Sequence, residues 1–414
     1  MHCPICFFRD KSQKEIKGSC FGLLRFEHKL EKYKEKFLIG IDEMKSLSEC
    51  DCYSSYNHKE LLSWTDSFLE TLKENRSAAE QAFDQIISSY RDFISKSQKV
   101  ALDNLWAYLE ENKLIAGAVH PLQHTHLLFR GRKRGAFNEA EIKEFFHVPF
   151  TMRQKIANQR FSISGQPMLY LGSSILGVQK ELGLELDDIA LAGFCPKYSV
   201  YYHKKMFDLK NYVNDVLENT LPAVCEADIP ISYFDKEIVP NRWSIETDLQ
   251  NSILMHICTF PREYTDVFIP EYVLPQMLTT ALMEKGYAGI VFPSTKDFSD
   301  LTGHHRYSSY YLNVGFFVSY DEKNNFDESL LNTFITYTLD GTESFDLTLD
   351  DLRSEMAAVD KASRSKQDHS LPVILLGPRL EDIESGVLCG INYYQTQTGK
   401  IELEFYRKML RHLC

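Results

Sequence analysis

The chain contains no apolar run near the length of about 20 residues that a bilayer-spanning helix needs. Its opening, MHCPICFFRDK, has neither the charged start nor the long apolar centre of a secretion signal, so the expected location is the cytosol. Positive charge is in short supply. Against 58 Asp and Glu stand 46 Lys and Arg, a net charge of −12. Non-specific binding to nucleic acid or to an anionic membrane needs a cationic surface, so neither is expected of this chain. A local cationic pocket stays open. No GxGxxG or P-loop follows a strand-like run, and no GxSxG surrounds a serine, so Rossmann, NTPase and acyl-transfer chemistry drop out. Internal repeats and low-complexity blocks are absent too.

What the chain does have is length and aromatic content. With 414 residues, 22 Tyr and 27 Phe it can build a sizeable core in more than one domain. Its ten cysteines are uneven: Cys3, Cys6, Cys20, Cys50 and Cys52 crowd the first segment. Cys3-Pro-Ile-Cys6 has the spacing of a zinc knuckle, and Cys50-Asp-Cys52 offers a second pair, with Cys20, His28 and His58 as alternatives. Four such ligands would make a closed, structural zinc site. His120, His124 and His126, and the pair His304-His305, lack a carboxylate or cysteine mate that would make them metal ligands.

Texture divides the chain into four stretches. Residues 1–58 form a cysteine-bearing lead whose charged run Arg25–Lys36 predicts a solvated helix. Residues 59–117 carry apolar positions three and four apart, among them Leu61, Phe68, Leu72, Phe83, Ile87, Tyr90, Leu105 and Leu109. That spacing predicts a small helical bundle. Residues 118–345 change to short Val-, Ile-, Tyr- and Phe-rich runs: HLLFR, MLYLG, SVYYHKKMF, GIVFP and YYLNVGFFVSY. Amphipathic stretches at Ser173–Leu182, Trp243–Cys258 and Glu271–Lys285 come between them. Residues 346–414 form a C-terminal α/β extension, with a helix after Asp350 and two more strands, LPVILLG and KIELEFY. Strands and helices do not alternate strictly, which predicts an α+β fold over a doubly wound one.

Four polar positions stand in distinct local frames. Arg130 in LFRGRKRG ends a strand-like run, where a guanidinium can grip phosphate oxygens, or simply belong to a basic turn. Arg160 in NQRFSISGQPMLYLGSS reads as a structural arginine or a site residue, and Tyr170, further along, as core or pocket. Ser173 and Ser174 open a helix whose free amides would favour a nearby phosphate. Glu181 lies two turns into that helix, with Glu185 as its rival, and Ser294 closes GYAGIVFPS.

Arginine, glutamate and serine in that order, in these frames, resemble the RES domain family over about residues 125–320, with an N-terminal helical extension. The likeness has two departures, Gln159 where glycine is common and Ser162 where asparagine is common. It implies an ADP-ribosyltransferase-like mixed α/β catalytic domain that binds NAD and breaks its nicotinamide–ribose bond, by hydrolysis or phosphorolysis. It implies binding roles for Arg130, Arg160, Tyr170 and Ser294, and catalytic roles for Glu181, Arg130 and Ser294. A carboxylate beside the ribose would stabilise the positive charge that builds there as the bond breaks. Such proteins are toxins of bacterial toxin–antitoxin pairs, so an antitoxin partner or a role in defence is expected. Self-association through the N-terminal helices is the other expectation. The alternatives are an ADP-ribosyltransferase that modifies a protein or nucleic acid, and an inactive scaffold.

Overall fold

The computed structural model describes residues 2–23, 25–55, 59–115, 127–135, 137–197, 204–214, 216–217, 245–264, 267–302, 310–339, 345–365 and 379–413. The long helices and one short one, in chain order, are α1 (Pro4–Phe8), α2 (Asp10–Gly18), α3 (Phe26–Asp42), α4 (Lys59–Glu74), α5 (Arg76–Ser95) and α6 (Gln98–Glu111). They continue with α7 (Ile175–Leu182), α8 (Ile245–Cys258), α9 (Val273–Glu284), α10 (Leu349–Ser365) and α11 (Gln397–Leu413). Among the described residues, no helix is long and apolar enough to cross a membrane.

The chain folds as two compact units. The first holds 1–118, 159–161 and 209–285; the second holds 119–158, 162–208 and 286–414. These limits differ from the four stretches read from texture. Residues 209–285 supply α8 and α9 to the helical unit rather than to the strand-rich one. Residues 346–414 form no separate extension, because Leu352, Val359, Phe405 and Tyr406 share one core with Phe129 and Leu191 of the strands.

In the helical unit α5 packs against α3, α6 and α8. The charged run expected to be a solvated helix is in fact central. Within α3, Phe26, Leu30, Tyr33, Phe37 and Ile41 recur every three or four residues and are all buried. Phe37 meets Phe7, Phe8 and Phe83 edge-on, with centroids 5.2, 6.0 and 5.4 Å away. Lys29 is also buried, between Glu263 at 2.8 Å and Glu271 at 3.4 Å. A run with charge at every other position hid this face, since the apolar residues alone mark the helical period.

Among the described residues the second unit has ten strands: β1 (Leu128–Lys133), β2 (Met168–Gly172), β3 (Ile189–Pro196), β4 (Met206–Asp208), β5 (Gly289–Pro293), β6 (Leu301–Thr302), β7 (Leu312–Phe317), β8 (Phe334–Thr338), β9 (Val387–Leu388) and β10 (Ile391–Asn392). Seven form a mixed sheet in the order β4-β5-β7-β2-β1-β3-β8, parallel only between β4 and β5. This is the α+β architecture that the pattern predicts. A small sheet, β10-β9-β6, stands apart.

The register of the large sheet is uneven. β1 matches β3 at six positions and β2 matches β7 at five, yet β1 and β2 share only the pair Phe129↔Gly172. The sheet is therefore two ladders joined at one point, with an opening between them. Helix α7 lies close on one face. A Cβ at Gly131 would sit 2.6 Å from Val178, and one at Gly172 would sit 2.9 Å from it, so only glycine fits beneath the helix. The other face carries Leu128, Ala192, Leu169, Val314 and Phe316 against Phe145 and Phe146.

KIELEFY, read as a strand, lies inside α11. Its alternating pattern misled because Glu402 and Glu404 are buried along with Leu403, Phe405 and Tyr406. Beyond the exposed Lys400 every residue from Ile401 to Tyr406 is buried, and the helical period shows only when Met409 and Leu410 are included. LPVILLG lies outside the described residues.

Candidate active site

The helix that carries Glu181 is short, and its start is firmly tied. Ser174 caps α7, accepting from Gly177 N at 2.9 Å and donating to the carbonyl of Tyr310. Glycine at 183, with φ 64°, lets the chain turn out of the helix at its other end. The opening of this helix was expected to favour a phosphate. Instead the Glu402 carboxylate takes the place, accepting from Ile175 N at 3.1 Å and from the Tyr393 hydroxyl at 2.8 Å. Its other oxygen is paired with Arg379, and both side chains are sealed from solvent. A carboxylate already meets the amides and the positive end of the helix, which leaves no role there for a ligand anion.

Glu181 stands at the opposite end, in the last turn. A carboxylate there faces the negative end of the helix dipole, so helix stability does not explain it. Two donors from the strands hold it. Ser294, just past β5, donates its hydroxyl to Glu181 Oε1 at 2.5 Å, and Asn313 Nδ2 of β7 reaches the same oxygen at 2.8 Å. Ser294 is itself fixed by its backbone N–H to Tyr311 O at 2.7 Å and by Lys296 N donating to its hydroxyl at 3.1 Å. Among the described residues, Glu181 Oε2 has no hydrogen-bond partner. The result is a half-buried carboxylate with one oxygen clamped and the other presented. Glu185, the rival, is exposed beyond the glycine turn.

Glu181 and Ser294 were expected from the sequence, and the structure brings them into direct contact. Asn313 was missed. Its signal was present, as the one amide inside the apolar run Leu312–Phe317. The strand period places it on the same face as Tyr170 and Phe292, away from Leu312, Val314 and Phe316.

Arg130 occupies the opening between the two ladders. Where β1 and β2 separate, its Nη1 donates to the Tyr170 carbonyl at 2.8 Å, an acceptor freed by the missing ladder. Gly131 faces α7, so Arg130 leaves β1 on the opposite side. Arg132 on that side is paired with Glu144 at 2.8 Å. No carboxylate pairs with Arg130 among the described residues, and its buried Nε has no hydrogen-bond partner. Burial, and then the nearby Arg132, lower its pKa to about 10, which leaves the guanidinium charged near neutrality. A half-buried, charged group whose enclosed Nε lacks an acceptor is suited to an anionic ligand. Tyr170 itself turns its hydroxyl to Ser162 Oγ at 3.1 Å and its ring edge toward Phe292, with centroids 6.4 Å apart.

Arg160 does different work. It belongs to the helical unit, where its Nη1 donates to the carbonyls of Cys258 at 3.1 Å and Phe260 at 2.8 Å. These lie at the end of α8, and the guanidinium also lies over the Tyr272 ring at 5.0 Å. A cation on the last carbonyls of a helix is a cap. The partners shown are carbonyls rather than the carboxylate that a structural arginine was expected to pair with, and the contacts of Glu181 with Ser294 and Asn313 do not involve Arg160.

In the helical unit the four cysteines read as two pairs converge. The sulfurs of Cys3, Cys6, Cys50 and Cys52 lie within 4.8 Å of one another. Hydrogen bonding from Cys3, against the burial that opposes it, holds the Cys6 thiol down to about 5. Cys20 stays outside the group, donating to Ile16 O at 3.3 Å.

Comparison with known proteins gives one informative match. The chain is 30% identical over 157 residues to a Bacillus subtilis (strain 168) protein named "Putative toxin YopC". The match covers 37% of this chain and 33% of that protein, so the chain spans about a third of the length of the curated relative it matches. No protein-family model and no solved structure matches.

Proposed function

We propose that this protein is a RES-like toxin that binds NAD and breaks its nicotinamide–ribose bond, lowering cellular NAD. The observation that carries this reading is Glu181, a carboxylate clamped at one oxygen by Ser294 and Asn313 and open at the other. Toxin function is supported by the similarity to the Bacillus subtilis protein. The choice of NAD rests on the resemblance of the Arg130, Glu181 and Ser294 frames to the RES family.

The chemistry follows from the groups present. As the bond between ribose C1′ and the nicotinamide nitrogen breaks, its electron pair leaves with nicotinamide and positive charge develops on the ribose. Glu181 Oε2 stabilises that charge. Ser294 and Asn313 keep the carboxylate from rotating away, which is their positioning role. Arg130 leaves β1 on the side away from α7, so its role would be to meet the pyrophosphate through the gap where β1 and β2 part; it is charged there and, among the described residues, has no carboxylate partner. Water or phosphate then attacks C1′ and loses a proton to solvent.

The direct test is incubation of the purified full chain with NAD, with and without inorganic phosphate, and identification of the products. Nicotinamide with ADP-ribose means hydrolysis, and a ribose-phosphate product means phosphorolysis. Nicotinamide release that requires an added protein or nucleic acid would replace this reading with a transferase. Arg130→Ala should raise KM more than it lowers kcat, since its role is binding. An unchanged KM would remove Arg130 from the site.

A further inference from the structure

Cys3, Cys6, Cys50 and Cys52 form, we propose, a closed four-thiolate site for one zinc ion that fastens the start of the chain to the turn between α3 and α4. This inference is independent of the NAD reading and lies wholly within the helical unit.

Geometry is the first argument. The sulfur of Cys3 is 3.5 Å from that of Cys52, Cys52 is 3.5 Å from Cys50, and Cys50 is 3.8 Å from Cys6. A tetrahedral zinc ion with Zn–S bonds of about 2.3 Å sets its sulfurs about 3.8 Å apart. A disulfide needs about 2.05 Å. The four sulfurs therefore have the spacing of ligands around a common centre rather than that of bonded pairs.

The second argument is how local structure aims them. Cys3 is the N-cap of α1, Pro4 fixes the first helical position, and Cys6 falls in the first turn. Cys50 and Cys52 flank the junction of two short 3-10 turns, Leu47–Glu49 and Asp51–Ser55. The two segments are already held together by Lys45 N donating to His2 O at 3.2 Å. Hairpin-like pairs from two separate places in the chain give four donors without a gap. Four soft sulfurs with no carboxylate among them select zinc over magnesium or calcium, and a full set leaves no position for substrate.

The third argument is need. Helix α1 has five residues, too few to be stable alone. Its Phe7 and Phe8 nevertheless fill the aromatic cluster around Phe37. A metal joining residues 3 and 6 to residues 50 and 52 would hold that turn in place.

The test uses the full chain, purified without chelator. Elemental analysis should find one zinc per chain, and chelator added to the native chain should release that zinc and make Cys3, Cys6, Cys50 and Cys52 reactive while the buried Cys20, Cys195 and Cys258 stay protected. Replacement with cobalt(II) should give the strong visible bands of a tetrahedral thiolate site. Cys52→Ser should lower zinc content at least tenfold, while Cys20→Ser and Cys389→Ser should keep one zinc. If Cys52→Ser fails to fold, the metal content and cobalt spectrum of the unaltered chain decide alone. Metal-free protein with all four thiols reactive overturns the proposal, and so does a mass showing two disulfides among them.

Discussion

Helix α7 has a glutamate at each end, and the two are held in opposite ways. Glu402, docked at the start, is fully enclosed: Arg379, Tyr393 and Ile175 N occupy both of its oxygens. Glu181, at the end, has both donors on one oxygen and, among the described residues, none on the other. A carboxylate that only supports the fold is satisfied on every side, because an unpaired buried charge is destabilising. One that works on a substrate keeps an oxygen free and has its orientation fixed by neighbours. On this comparison Glu402 anchors the helix, and Glu181 is the carboxylate that the proposed chemistry would use.

The largest expected effect lies at the anchor. Glu402→Gln strands Arg379 in a sealed interior and weakens the hold on Ile175 N. Breaking one side of a buried ion pair typically costs about 3–5 kcal/mol, which for a unit of this size lowers Tm by on the order of 10 °C. Calorimetry of the full chain reads this directly. A Tm within a degree of the parent would mean that Glu402 does not anchor the helix.

Next come the residues that orient Glu181. Ser294→Ala and Asn313→Ala should each lower kcat by about 10- to 100-fold while changing stability by less than about 1 kcal/mol. The double variant should fall short of the product of the two, since both act through Glu181 Oε1. Full additivity would show that they act on separate steps.

A third paired group sharpens the contrast through pH. In the second unit His147 Nε2 accepts from Asp327 N at 2.9 Å, so Nδ1 carries the proton and donates to Val148 O at 2.8 Å. Burial holds its pKa below the ordinary 6.5. On acidification the unfolded chain therefore takes up the proton first. His147 contributes stability that is fully present above about 6.5 and is lost as pH falls below that value. His147→Gln keeps an acceptor but does not titrate, so it should flatten the Tm profile between pH 7 and 5. An unchanged slope would assign the acid sensitivity elsewhere.

Much of this was legible in the chain. Short runs of strand formers marked β1, β2, β5 and β7, and of Arg130, Glu181 and Ser294, singled out in the sequence, the last two lie in contact. The cysteine pairs stood out because the spacing within each pair is local, and the structure brings their four sulfurs together. Arg379 with Glu402 was not, because charged residues in a sequence look exposed until their partner is known. The same blindness turned the start of α11 into a strand and the buried face of α3 into a solvated one. Asn313 was visible as a polar residue in an apolar strand, but only the register with Phe292 and Gly172 shows which residue it serves. Arg160 needed the end of α8, almost a hundred residues away, before its capping role could be read.

The most direct measurement is the rate of nicotinamide release from NAD by the full chain and by Glu181→Gln at equal concentration. The account predicts a loss of on the order of 100- to 1000-fold with an unchanged Tm, since the proposed role of Glu181 is to stabilise charge in the transition state and Gln keeps the oxygen that accepts from Ser294 and Asn313. Release by Glu181→Gln at the rate of the parent chain would contradict it.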